Sequence, residues 1–327
     1  MFFRHLFSVV RKTAVCVAME ASNATASVEC KTHNSPPSVE EVLKMKWERE
    51  QKDLKEKMLL MDVDDWSKLK ITTDVVNKFP QKLCLRYVGG VDISFIKGDD
   101  VNACAAFVVL EFPELKIIYK DISMVQLTAP YIPGFLAFRE VNSLKEKIEK
   151  LKNIQPSILP QVVLVDGNGI LHPRGFGLAC HLGVLTDLPT IGVAKNLFCV
   201  KKLQDAGDWL PLIGISGKQH GVIYRSCKES TNPIYISPGH KISMETAIWV
   251  VEKCINYRIP EPTRQADILS REYIRSLCNK GESDKKPSHK KKKRERGQKR
   301  NEFDNPMPSE TCEDESYLGP GLDLWDS

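Results

Sequence analysis

At 327 residues and a formal net charge of only +5, the chain is long enough to bury one large core, and its overall charge singles out no polyanionic partner. Ten cysteines are scattered without CxxC pairs, several of them in apolar surroundings such as Cys104, Cys180 and Cys254. This argues against a disulfide-stapled secreted domain and for a reducing compartment. No apolar run reaches the roughly 18 residues of a spanning helix, so no membrane association is expected.

Composition divides the chain into three. Residues 1–38 are rich in Ser, Thr, Ala and Asn and read as a disordered amino-terminal extension; residues 39–279 read as one folded domain. Residues 280–327 read as a disordered tail, basic from Lys285 to Arg300 and acidic from Glu302 to Asp326. The opening Met1 to Lys12 is basic and amphipathic, with no acid before Glu20, a pattern that mitochondrial presequences share with plain extensions; Met19 offers a second start. The block Lys290-Lys291-Lys292-Lys293-Arg294 is compatible with a nuclear or nucleolar signal, an RNA-binding arm or a solvated tail, so the cytoplasm and nucleus are the expected locations. Leu318 to Trp325 mixes acids with apolar residues, as partner-binding segments do.

In chain order, Ser38-Val39-Glu40-Glu41 resembles a capping box and opens a charged helix that should run to about Leu60, with Val42, Met45, Trp47, Leu54 and Met58 on its apolar side. Apolar segments at 86–96, 101–112 and 115–127, joined by short turns, predict three antiparallel strands. Leu136, Val141, Leu144, Ile148 and Leu151 recur at helical spacing and place Glu140 on a helix. A parallel strand ending at Asp166 follows, then a Gly-rich loop, a helix near 176–186 and a strand at 190–194. Strands near 211–215, 221–226 and 233–237 precede helices at about 243–256 and 262–277. Three antiparallel strands, a helix, then alternating strands and helices describe an α/β single domain with a mixed sheet flanked by helices, the ribonuclease H-like layout.

Three acids stand out. Asp92 and Asp166 each finish an apolar strand, and Glu140 lies on the helix between them. A buried strand carries a charge only when it is paired or bound to a cation, so together the three point to a metal-loaded site for phosphodiester chemistry. Any one of them alone reads as well as a solvated or helix-capping carboxylate. Pro130-Tyr131-Ile132-Pro133-Gly134 is a stiff segment whose apolar side chains could wedge between bases, or simply pack as a proline-stiffened core loop. The loop Asp166-Gly167-Asn168-Gly169 to Gly177 holds four glycines beside an acid and suits a backbone that a base or phosphate approaches, or a tight strand-to-helix turn. Lys195 ends a strand and could offset phosphate charge; His240 and Asp267 add a late histidine and a late acid.

The runs Val88-Gly89-Gly90-Val91-Asp92, Pro130 to Glu140, Asp166-Gly167-Asn168-Gly169 with His172-Pro173-Arg174, Gly192-Val193-Ala194-Lys195 and Ser237-Pro238-Gly239-His240 occur in the order found in the endonuclease V family. The likeness covers roughly residues 40–277 and is similar above all to the vertebrate members. It implies a ribonuclease H-like endonuclease that cleaves the second phosphodiester 3′ to inosine or deoxyinosine, leaving 3′-hydroxyl and 5′-phosphate ends. It implies Mg2+ held by Asp92 and Asp166, with Mn2+ able to substitute. Glu140, His240 and Asp267 would complete the catalytic set. Lys195 would contact the scissile phosphate, and Tyr131, flanked by Pro130, Ile132 and Pro133, would be the wedge. Gly134, Leu136, Gly169 and His172 would surround the flipped base. Inosine-containing single-stranded RNA is the expected partner, with deoxyinosine DNA second, and the core is expected to act as a monomer. The competing readings are a non-cutting inosine-RNA binding protein and a structure-specific nuclease of the same fold.

Overall fold

The computed structural model describes residues 38–64, 84–195, 207–214, 216–230 and 232–283. The amino-terminal extension, the Lys/Arg block and the acidic carboxyl-terminal segment lie outside the described residues. From Glu40 onward the described residues form one compact unit.

Helix α1 (Val39–Lys55) is followed by β1 (Tyr87–Phe95), β2 (Asn102–Glu111) and β3 (Lys116–Gln126), which pair antiparallel as the turn signals predict. Helix α1 ends at Lys55, five residues short of the expected Leu60, and Glu56 to Met58 close it with a turn. Helix α2 (Leu136–Ile154) leads through a 3-10 turn to β4 (Val162–Asp166), which runs parallel to β1. Helix α3 (Leu178–Thr186) and β5 (Thr190–Ala194) extend the parallel set. Strands β6 (Trp209–Ile213), β7 (Gln219–Tyr224) and β8 (Ile234–His240) return antiparallel, and α4 (Met244–Lys253) and α5 (Glu261–Ser283) close the described chain. The sheet order is β3-β2-β1-β4-β5-β8-β7-β6, a mixed ribonuclease H-like sheet flanked by helices.

The strand composition explains the layering. β2 and β4 are apolar at nearly every position because both faces are covered. Ala105, Phe107 and Val109 face α2, whose Val141, Leu144, Ile148 and Leu151 form its buried stripe; burying each such aliphatic side chain contributes about 1.5–3 kcal/mol. Ala106, Val108 and Leu110 face α5 through Ala266, and Val162 and Leu164 face α4. Strand β8 runs three residues beyond the expected end at Ser237 and takes Pro238 into the ladder. The pairing shifts register between Thr190 and Ile191, opposite this stretch, and such irregularities are where a ladder tolerates a residue without an amide hydrogen.

One contact positions the functional end of the sheet. A Cβ at Gly90 would lie 2.1 Å from the Pro262 carbonyl oxygen, so only glycine lets the first turn of α5 rest directly on β1, two residues before Asp92.

Candidate active site

Asp92 and Asp166 are neighbours across the sheet. Val91 pairs with Val165 in the parallel ladder, so the next residue of each strand is an acid, and both side chains leave the sheet on the α5 face at its carboxyl end. Asp92 is 7% exposed. Its carboxyl is pushed up to about 7, by burial first and then by the charge of Asp166. Glu140, 6% exposed, reaches the same place from the first turns of α2, and burial followed by the charge of Asp92 pushes it up to about 8.

Lys195, immediately beyond β5, supplies the local cation. Its Nζ is 2.5 Å from Asp166 Oδ2 and 3.9 Å from Asp267 Oδ1. Burial works to lower its pKa, but the charge and hydrogen bond of Asp166 prevail and raise it. Asp267, on α5, is also held by Arg271, whose Nε donates to Oδ1 at 2.8 Å. Asp92, Glu140, Asp166, Lys195 and Asp267 thus share one electrostatic site, drawn from five separate elements.

Two serines absent from the sequence reading complete it. Ser94 and Ser270 donate to Asp92 Oδ2 at 3.2 and 3.3 Å, and their hydroxyls lie 2.7 Å from each other. Each had a signal: Ser94 follows Asp92 by two residues on the same strand face, and Ser270 follows Asp267 by three on the same helix face. They hold one carboxylate oxygen of Asp92 and fix its rotamer.

The donor chemistry suits a hard divalent cation. All the acids present oxygen, and two of them are pushed toward protonation by burial and then by a neighbouring acid, a charge that a cation would offset. Among the described residues no three His, Cys, Asp or Glu side chains form a closed metal cage. An open site of two carboxylates is the kind that Mg2+ uses, retaining waters and taking substrate oxygens.

His240 is not in this cluster. It pairs with Thr190 at the start of β5, whereas Asp166 lies opposite Val193 and Lys195 follows the end of β5. His240 is therefore at the other end of the sheet, about 10–13 Å farther along the strands. It is buried and its pKa is lowered, by burial first and then by Lys241. Nδ1 accepts the Leu59 amide at 3.3 Å, and Nε2 lies 3.8 Å from Asp187 Oδ1. Its place is structural: it pins the segment after α1 to the end of β8.

The wedge segment divides. Pro130, Tyr131 and Pro133 face outward, with Tyr131 53% exposed. Ile132 is 4% exposed and packs with Trp47 and Phe135, so it anchors the segment rather than projecting from it.

The base-pocket candidates divide as well. Gly134 has φ +79°, a left-handed conformation suited to glycine. Its carbonyl accepts from the Arg174 guanidinium and from the His172 ring. His172 Nδ1 in turn accepts the Arg174 amide at 3.2 Å, and burial followed by Arg174 pushes this histidine down to about 4, so it is neutral. Arg174 also lies 3.9 Å over the Phe135 ring and donates to Gln51 of α1 at 2.5 Å. Leu136 stands exposed at the rim. Gly169 is different: its amide donates to Ser237 Oγ at 2.9 Å and is unavailable to a base. The amides of Gly167, Ile170, His172, Gly175, Gly177 and Ala179 are likewise engaged within the protein, so most of this loop's glycines serve packing against β5, β8 and α3 rather than a phosphate cradle.

Known proteins share this architecture. A family model described as Endonuclease V matches residues 67–268. Human Endonuclease V is 50% identical over 253 residues, 73% of this chain and 85% of the human one. Mouse Endonuclease V is 48% identical over 279 residues, 81% of this chain and 78% of the mouse one. The solved catalytic domain of human Endonuclease V, 48% identical, superposes with a TM-score of 0.67 and covers 75% of this chain and 99% of that one. Endonuclease V of Ciona intestinalis, solved in complex with a 24mer DNA containing an inosine followed by a ribo-adenosine, is 32% identical with a TM-score of 0.62, covering 72% of this chain and 99% of that one.

Proposed function

The chain belongs to the endonuclease V family of phosphodiester-cleaving nucleases, and we propose that it is a Mg2+-dependent endoribonuclease that cuts single-stranded RNA at the second phosphodiester 3′ to inosine. Its products carry 3′-hydroxyl and 5′-phosphate ends, and deoxyinosine in DNA is a secondary substrate. The observation that carries this reading is the adjacency of Asp92 and Asp166 at the carboxyl ends of two parallel strands, with Glu140 facing them and Lys195 alongside.

Asp92 and Asp166 would hold Mg2+, or Mn2+ in its place; when bound, such an ion polarises the phosphate and lowers the pKa of water. Lys195 offsets the charge of the scissile phosphate, at the place where it now offsets Asp166. Ser94 and Ser270 keep Asp92 in one rotamer, leaving its second oxygen to ligate. Tyr131, presented on a segment anchored by Ile132, holds the strand open beside the flipped base. The wall near Gly134, braced by His172 and Arg174, reads the base without a charged side chain. A buried donor or acceptor left unpaired costs about 1–3 kcal/mol, enough to disfavour an adenine, which differs at C6. The ribonucleotide after the inosine in the strand bound by the Ciona relative supports a substrate with a 2′-hydroxyl at that position. The core acts as a monomer in the cytoplasm and nucleus, with the Lys290 to Arg294 block as the address.

Incubation of the full-length protein with matched RNA and DNA strands containing inosine or adenosine tests the proposal. Cleavage mapped to the second phosphodiester 3′ to inosine, faster in RNA and abolished by Asp92→Ala or by chelator, supports it. Equal cutting of the adenosine strands sinks the base specificity; activity retained by Asp92→Ala sinks the site.

A further inference from the structure

Arg139 is a half-buried cation close to the acids. It precedes Glu140 on α2, and among the described residues neither a hydrogen bond nor an ion pair engages its guanidinium; Nε is buried with no acceptor. A buried guanidinium nitrogen is rarely left without a hydrogen-bond partner, and the planar fork of an arginine matches phosphate oxygens. Its charge does act on Glu140, so the side chain lies within the field of the acidic site.

What surrounds Arg139 indicates the ligand. Its guanidinium carbon is 5.6 Å from the centre of the Phe95 ring, which stands at the carboxyl end of β1, three residues after Asp92, and is nonetheless 43% exposed. Phe95 leaves the sheet on the α2 face, opposite to Asp92, so it flanks the acids instead of joining them. Beside it opens a cleft of about 330 Å³ between the end of β3 and the outer side of α2, lined by Gln126, Thr128, Phe138, Arg139, Asn142 and Ser143. Glu146 also lines the cleft, but it is seven residues and about 10 Å farther along α2, so the anion-accepting end is at Arg139.

We infer that Phe95, Arg139 and this cleft form a nucleotide subsite for the substrate strand outside the cleavage position: Arg139 binds a non-scissile phosphodiester, and an adjoining unpaired base stacks on Phe95 with its edge toward the cleft. The inference rests on the proposed function for the presence of a strand at the acids. An exposed aromatic ring beside an unpaired arginine is how single strands are held with little regard to sequence, because every base has a π-face. Polar side chains along the cleft add hydrogen bonds to whichever base enters. The inosine would be read on the Gly134 side and its neighbours held on the Arg139 side.

The test is fluorescence anisotropy of the full-length protein with an inosine-containing single strand in chelator, across a salt series, alongside steady-state cleavage in Mg2+. Arg139→Ala is expected to weaken binding about tenfold and to flatten the slope of log affinity against log salt by about 0.7, the loss of one phosphate contact. Phe95→Ala is expected to weaken binding about tenfold with the slope unchanged. In both, kcat at saturating substrate stays within about threefold of the parent. Arg139→Lys and Phe95→Leu, with thermal melts, keep the test valid if an alanine variant folds poorly. Trimming the strand one nucleotide at a time should abolish the difference between parent and variants at the step that empties the subsite. Parent-like affinities and slopes in both variants overturn the inference, as does a fall in kcat at unchanged affinity, which would tie Arg139 to Glu140 instead. If the parent cuts no inosine strand, the proposed function fails, and the same binding series on an unmodified strand still decides the subsite.

Discussion

Lys195 places its ammonium 2.5 Å from Asp166 Oδ2, so a cation of the protein itself stands against this carboxylate. If Asp166 holds a divalent cation as proposed, Lys195 would compete with that cation for this carboxylate and would be free for the phosphate in the loaded protein. Lys195→Met should lower kcat by about a hundredfold, the loss of one charged stabiliser in the transition state. Binding of Mg2+ to the same variant, followed by calorimetry, should be as tight as in the parent or tighter. Weaker Mg2+ binding would mean that Lys195 supports the metal site instead of competing for it.

Glu140 and Asp92 make the metal-free protein less stable as pH rises. Their folded pKa values, about 8 and about 7, lie above the unfolded values of 4.5 and 3.8. The stability they contribute is fully present below about pH 4 and is lost as pH climbs through about 7 to 8. In chelator, Glu140→Gln should match the parent near pH 4.5 and exceed it by on the order of 2 kcal/mol at pH 8, measured by urea unfolding. Added Mg2+ should narrow the gap by stabilising the parent more. A gap that does not change with pH refutes the assignment.

Tyr131 and Ile132 are adjacent in sequence and opposite in exposure. Ile132→Ala should cost about 2–4 kcal/mol in a denaturant titration, since the side chain fills a small cluster with Trp47 and Phe135. Tyr131→Ala should cost less than about 1 kcal/mol yet reduce kcat/KM on inosine strands about tenfold or more. Equal activity losses at equal protein stability would remove the division between anchor and wedge.

His240 should matter to folding and not to chemistry. His240→Ala removes a buried ring and the acceptor of the Leu59 amide, and should destabilise by about 1–3 kcal/mol. With the folded variant assayed well below its melting temperature, kcat should remain within about threefold of the parent and its pH profile should be unmoved. A lost or shifted pH profile would return His240 to the reaction.

The order of strands and helices was legible because strand and helix periods are local properties. The apolar runs ending at Asp92 and Asp166 and the helical stripe through Leu144 and Ile148 each carry their own pattern. The acids were legible for a related reason: a charge closing an apolar strand is costly wherever the strand goes. The motif order around them carries the family resemblance by itself.

Other features depended on which elements meet. The Ser237 to His240 motif carries no sign of which end of the sheet it occupies; the antiparallel return of β8 beside β5 carries His240 away from the acids. The glycines after Asp166 signal a close approach, but only the packing against β5, β8 and α3 reveals that the approaching partner is the protein itself. The serines around Asp92, the arginine bracing Gly134 and the unpaired Arg139 beside Phe95 are likewise products of tertiary contact. Residue type and spacing determined which chemistry the chain can carry. The register of parallel strands and the crossing of α2 and α5 decided which side chains share it, because convergence from distant segments has no local period to read.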